Sequence, residues 1–76
     1  MYDPITQLVI ATRRAFRANI RPNVSVAPEG EKTKISFIVT FATSDETFDE
    51  IFAYAKKHAR DNNIDDALVF GIQRGL

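Results

Sequence analysis

Two periodicities of apolar and polar positions alternate along the chain. From Pro4 to about Ala18, Ile5, Leu8, Val9, Thr12, Ala15 and Phe16 fall on one stripe when stepped at about 100° per residue, as an amphipathic helix covering a core requires. Asp3-Pro4 supplies its start, a carboxylate to accept from the first free N–H groups followed by a proline whose missing N–H costs nothing there. The helix must stop by Ile20, because Arg21 precedes Pro22 and is pushed out of helical angles.

The period then changes to two. Val24 and Val26 alternate with Asn23 and Ser25, and Ala27-Pro28-Glu29-Gly30 carries the proline and glycine of a hairpin connection. A long return strand is predicted from Lys32 to Ala42, with Ile35, Phe37, Val39 and Phe41 on one face and Lys34, Ser36, Ile38 and Thr40 on the other. Thr43-Ser44-Asp45-Glu46 matches a capping box, with Thr43 as the cap of a second helix running to about Asp61. Phe48, Ile51, Phe52, Ala55 and Ala59 form its core stripe, and Asn62-Asn63 provides a left-handed exit, since asparagine tolerates positive φ. Leu68 to Gln73 returns as the last strand.

The order αββαβ defines an α+β two-layer sandwich: a three-stranded mixed sheet with two helices on one face. Its last strand runs parallel to the long one, because a strand, helix, strand succession crosses over right-handedly. This order resembles a split βαβ, ferredoxin-like domain lacking its first strand, a likeness of fold that carries no function. The gap left by the missing strand is closed either by direct pairing of the long and last strands or by a strand from a second chain.

Length limits this picture to one domain, since 76 residues leave no room for a second. A 45% hydrophobic chain with six Phe and two Tyr can build one core, but with a thin margin that homo-oligomerisation would widen. Cysteine is absent, which excludes disulfides and thiolate metal cages and fits a reducing compartment. Neither a spanning apolar segment nor the order of a signal peptide is present, so the expected location is cytoplasmic, without membrane attachment. Ten basic and ten acidic residues cancel, so any electrostatic partner must be met by a local patch.

Catalytic chemistry finds little support. His58 is the lone histidine and has no second imidazole or thiol to complete a metal set. Of the acidic pairs Asp45-Glu46, Asp49-Glu50 and Asp65-Asp66, the first two sit where a helix N-terminus favours negative charge without any functional reason. Gly30, Gly71 and Gly75 are isolated and open no phosphate loop, and Ser25, Ser36 and Ser44 have no histidine in a recognisable arrangement. A non-enzyme without cofactor or metal is therefore expected.

The sharper signal is Arg13, Arg14, Arg17 and Arg21, a single-sign cluster opposite the core stripe of the first helix. Guanidinium groups meet carboxylate and phosphate alike, whereas cations near a helix C-terminus are also stabilised by the dipole alone. Ile10 projects from the same arc, and an exposed branched apolar residue among arginines tilts the expectation toward a protein partner, with RNA or DNA as the alternative. The solvent face of the sheet, from Asn23 and Ser25 to Val69, Gly71 and Gln73, lacks the aromatic residues on which RNA-recognition modules stack bases. Tyr54 is the remaining candidate for an exposed aromatic. The expected function is a small interaction protein that occupies a surface of a larger complex, a regulator or inhibitor of the kind phages and mobile elements carry. A third reading is a structural subunit that assembles by strand-edge pairing.

Overall fold

The computed structural model describes residues 3–75 and has the order α1 (Pro4–Ala15), β1 (Ser25–Glu29), β2 (Lys32–Val39), α2 (Asp45–Asp61), a 3-10 turn (Asp65–Ala67) and β3 (Leu68–Arg74). The sheet order is β1-β2-β3, with β1 antiparallel and β3 parallel to the central β2. This is the expected α+β architecture, and the gap in the ferredoxin-like order is closed by direct β2–β3 pairing, Thr33 opposite Leu68 through Val39 opposite Arg74.

Asp3 caps α1 as expected: the Thr6 N–H donates to its Oδ1 at 2.8 Å and the Thr6 hydroxyl to Oδ2 at 3.2 Å. The backbone N–H of Thr6 holds the Asp3 carboxyl below its ordinary value. A carboxyl with a depressed folded pKa stabilises the fold above the ordinary aspartate range, and that contribution disappears as pH falls through the folded value. Asp3→Asn keeps a capping oxygen but removes this titration. The difference in urea midpoint between wild type and Asp3→Asn is thus expected to shrink on acidification below the usual aspartate range; parallel acid losses in both proteins would contradict the assignment.

Helix α1 ends at Ala15, earlier than the periodicity predicts. Phe16 leaves helical angles while its N–H still donates to the Thr12 carbonyl, and the Asn19 and Ile20 N–H groups both fold back onto the Phe16 carbonyl. The early stop lets Ile20 reach β2, where it bridges Val39 while Thr40 donates to the Asn19 carbonyl and Arg21 to that of Ile38. Ala15 is consequently exposed and leaves the core stripe. Thr12 is fully buried and survives there because its hydroxyl donates to the Leu8 carbonyl at 2.8 Å.

In the hairpin, β1 runs through Pro28 and Glu29, residues expected in the turn, and the connection is Gly30-Glu31 between the paired Glu29 and Lys32. Gly30 has φ 63, and among the described residues only Asn63 shares a positive φ, which is the pattern of a II′ turn with glycine first. Strand β2 ends at Val39 and not Ala42. The chain turns at Thr40–Thr43, with Thr43 N–H on the Thr40 carbonyl, and swings Phe41 out to 65% exposure instead of into the core.

The cap of α2 is Ser44, not Thr43: Thr47 N–H donates to the Ser44 hydroxyl at 3.1 Å. Thr43 is unavailable because it is buried, its hydroxyl accepting from the Asn19 amide and sharing a hydrogen bond with Thr40. The predicted exit holds. Asn63 has φ 58, its N–H donates to the Arg60 carbonyl and that of Ile64 to Ala59, the paired bonds of a Schellman close.

Ile35, Phe37 and Val39 form the floor of the core, under Leu8 of α1 and Ile51, Ala55 and Ala59 of α2, with Ile20 and Leu68 at its margins. The small residues Ala55 and Ala59 let α2 approach the sheet closely. Phe52, expected in this stripe, is 38% exposed and rests edge-on against Phe70 at the β3 side.

Candidate functional site

The link from α1 into the sheet builds a concavity of about 390 Å³ lined by Ile10, Arg13, Arg14, Arg17, Ile20 and Pro22. Helical geometry places Ile10, Arg13 and Arg14 on adjoining turns, since residues three and four apart are neighbours on a helix surface. Arg17 arrives differently, from the turn that follows Ala15. Ile20 is held by its bridge to Val39, and Pro22 follows it in the link. Two apolar side chains and a proline ring therefore form the lining between three guanidinium groups.

Four of the five residues singled out from the sequence meet here. Arg21 does not line the concavity: its backbone is tied to Ile38 in the sheet, so the helical wheel no longer describes where its exposed side chain points. Ile10 is half-buried, not exposed, because Ile20 and Pro22 close around its side of the helix. Sequence periodicity could not supply those two residues, since they enter only through the link's tertiary path.

The electrostatics of this face are uncompensated. The ion pairs among the described residues are Lys57–Asp61 and Arg74–Asp45, both elsewhere, and Arg13, Arg14, Arg17 and Arg21 form no side-chain hydrogen bond or ion pair among those residues. Cations near a helix end gain from the dipole, as do Arg13 and Arg14 in the last turn of α1. Arg17 directly follows the C-cap Phe16 and still lies at the negative pole, whereas Arg21 is five residues past the cap, in the link to the sheet, and its presence is not explained by helix electrostatics.

The other flagged residues have structural employment. Tyr54 is 37% exposed, as expected, and the rest of its ring packs edge-on against Phe16 at 5.6 Å, at the joint between the helices. The His58 ring shares a hydrogen bond with the Asn62 amide at 3.2 Å within the last turn of α2. Asp45 pairs with Arg74, whose guanidinium also donates to the Thr43 carbonyl and lies 4.9 Å from the Phe48 ring centre. Among the described residues no three His, Asp or Glu side chains assemble in a way that could hold a metal ion, and no helix is long and apolar enough to cross a membrane.

Two surface features escaped the sequence reading. A second concavity, about 450 Å³, lies between α1 and the hairpin and is lined by Asp3, Ile5, Thr6, Val9, Val26 and Thr33. It exists because α1 does not reach across β1, leaving Val26 51% exposed on the core face. Phe41 is the second, displayed by the Thr40–Thr43 turn. No protein-family model matches this chain, and no curated protein or solved structure matches it significantly.

Proposed function

We propose that the protein is a small non-catalytic interaction module of the cytoplasm whose docking surface is the arginine-rimmed concavity on α1. It receives an acidic segment of a larger protein that carries an apolar side chain among its carboxylates, and it acts as a regulator or inhibitor by occupying that surface. The observation that carries this reading is the combination, in one concavity, of Ile10, Ile20 and Pro22 with three arginines that have no partner among the described residues. Carboxylates satisfy the guanidinium groups in fork geometry, and the apolar lining gains only if an apolar group fills it. A phosphate backbone would use the cations and leave that lining unoccupied.

Photo-crosslinking from position 13 in nuclease-treated extract, compared between wild type and Ile10→Asp across a salt series, tests the reading. The expected result is a protein adduct mapping to an acidic peptide, lost in Ile10→Asp and weakened only moderately by salt. Adducts that vanish on nuclease treatment, with binding that falls steeply and linearly in log–log salt plots, would instead establish nucleic acid as the ligand. Equal crosslinking by Ile10→Asp would remove the concavity from the interface.

A further inference from the structure

The two outer edges of the sheet differ. The Arg21 N–H donates to the Ile38 carbonyl and Thr40 to that of Asn19, which sets the even-numbered residues of β2 toward β1. By the antiparallel register, Ser25, Ala27 and Glu29 then turn their backbone groups inward, and Val26 and Pro28 turn theirs outward. Proline has no N–H, so Pro28 blunts this edge as edge prolines do.

Strand β3 has no such protection. Gly75 N–H donates to the Val39 carbonyl, so Val69, Gly71 and Gln73 bond inward in the parallel ladder, and Phe70, Ile72 and Arg74 present their N–H and C=O groups outward. The side chains beside that edge are apolar: Phe70 and Ile72 are half-buried, and Phe52 rests on Phe70 with part of its ring in solvent. A row of free backbone groups flanked by aromatic surface is a template for strand addition.

We propose that this edge is a self-association surface, where two copies pair β3 against β3 antiparallel about a two-fold axis at Gly71. In this register Phe70 of each copy faces Ile72 of the other, and both are outward-bonding residues that can exchange N–H and C=O groups. Val69 falls opposite Gln73 on the open face. The two-fold selects the antiparallel direction: identical edges exchange bonds reciprocally only when Phe70 of one copy meets Ile72 of the other, whereas in a parallel pair the bonds slant to flanking residues and the two copies would not be equivalent. The blunted β1 edge disfavours β3-to-β1 pairing, which would propagate as an open filament, and leaves the closed two-fold pair.

Sedimentation equilibrium of the full chain over a concentration series, with amide exchange followed by NMR at its two ends, tests the proposal. A reversible monomer–dimer equilibrium is expected, with exchange at the Phe70 and Ile72 amides slowing as the dimer fills, while Val69, Gly71 and Gln73, already bonded in the ladder, stay unchanged. Val69→Glu with Gln73→Glu sets like charges opposite one another twice per dimer and is expected to weaken it by about tenfold. In the single chain position 69 neighbours Lys34, which accommodates the new carboxylate. Val69→Glu with Gln73→Lys restores complementarity and should restore the dimer. A wild-type chain that stays monomeric throughout, a dimer indifferent to the acidic pair, or a dimer that leaves Phe70 and Ile72 exchange unaltered would overturn the assignment. The exchange measurement needs no variant, so the proposal can fail even if the acidic pair does not fold.

Discussion

Phe37→Ala is expected to abolish cooperative folding, or to lower the thermal midpoint by at least about 12 °C. Phe37 is fully buried at the middle of the central strand, beneath both helices, and is the largest of the fully buried side chains. Truncating such a ring costs about 3–5 kcal/mol, partly through the cavity it leaves. A chain of this size has a total stability of only about 0.05–0.15 kcal/mol per residue, so the loss consumes much or all of it. Phe52→Ala is the internal control. Its ring is 38% exposed and rests edge-on against the half-buried Phe70, so about 1–2 kcal/mol is expected. Circular dichroism melts of the two variants check the contrast; equal midpoints would show that the core is not centred on β2.

Arg14→Glu with Arg17→Glu is expected to weaken partner binding by at least about 2 kcal/mol, roughly thirtyfold, while leaving the melting curve nearly unchanged. Both side chains are exposed and make no hydrogen bond or ion pair among the described residues, so the fold loses only the favourable dipole energy of two cations at the C-terminal end of α1. At the concavity the same reversal faces carboxylates with carboxylates. Titration of the crosslinked acidic segment, as a synthetic peptide, against wild type and variant gives the measurement. Undiminished affinity in the double variant would make the α1 face idle surface.

Much of the fold was legible because local chemistry and long-range packing agree. Asp3-Pro4 opens a helix, Asn63 closes one with positive φ, and the alternation from Ile35 to Val39 places the core, all as the residue types require. The departures share a cause: a tertiary bond overrode a local pattern. Thr43 satisfies the capping motif on paper, but its hydroxyl is spent on Asn19 and Thr40, and the cap passes to Ser44. Phe41 continues the apolar alternation, yet the Thr40–Thr43 turn, closed by the Thr43 N–H on the Thr40 carbonyl and pinned by the Thr43 hydroxyl to Asn19, ends the strand's course and swings Phe41 outward.

The candidate site divides the same way. Ile10, Arg13 and Arg14 share a helix surface that spacing alone reveals, whereas Ile20 and Pro22 join them through a bridge to Val39 that no periodicity encodes. The wheel placed Arg17 correctly for the wrong reason, since that residue is not helical, and it failed for Arg21.

The parallel pairing of β2 with β3 also governs the order in which the chain can fold. The β1–β2 hairpin closes locally, but the partner of Thr33 is Leu68, on the far side of the whole of α2. Contacts that distant form late, because loop-closure entropy must be met before any of them contributes. During folding β2 therefore has one side unpaired until α2 has formed and brought β3 alongside it. During that interval the strand bearing Ile35, Phe37 and Val39 is itself an open edge, and the nascent hairpin is the species most exposed to aggregation and to chaperone capture.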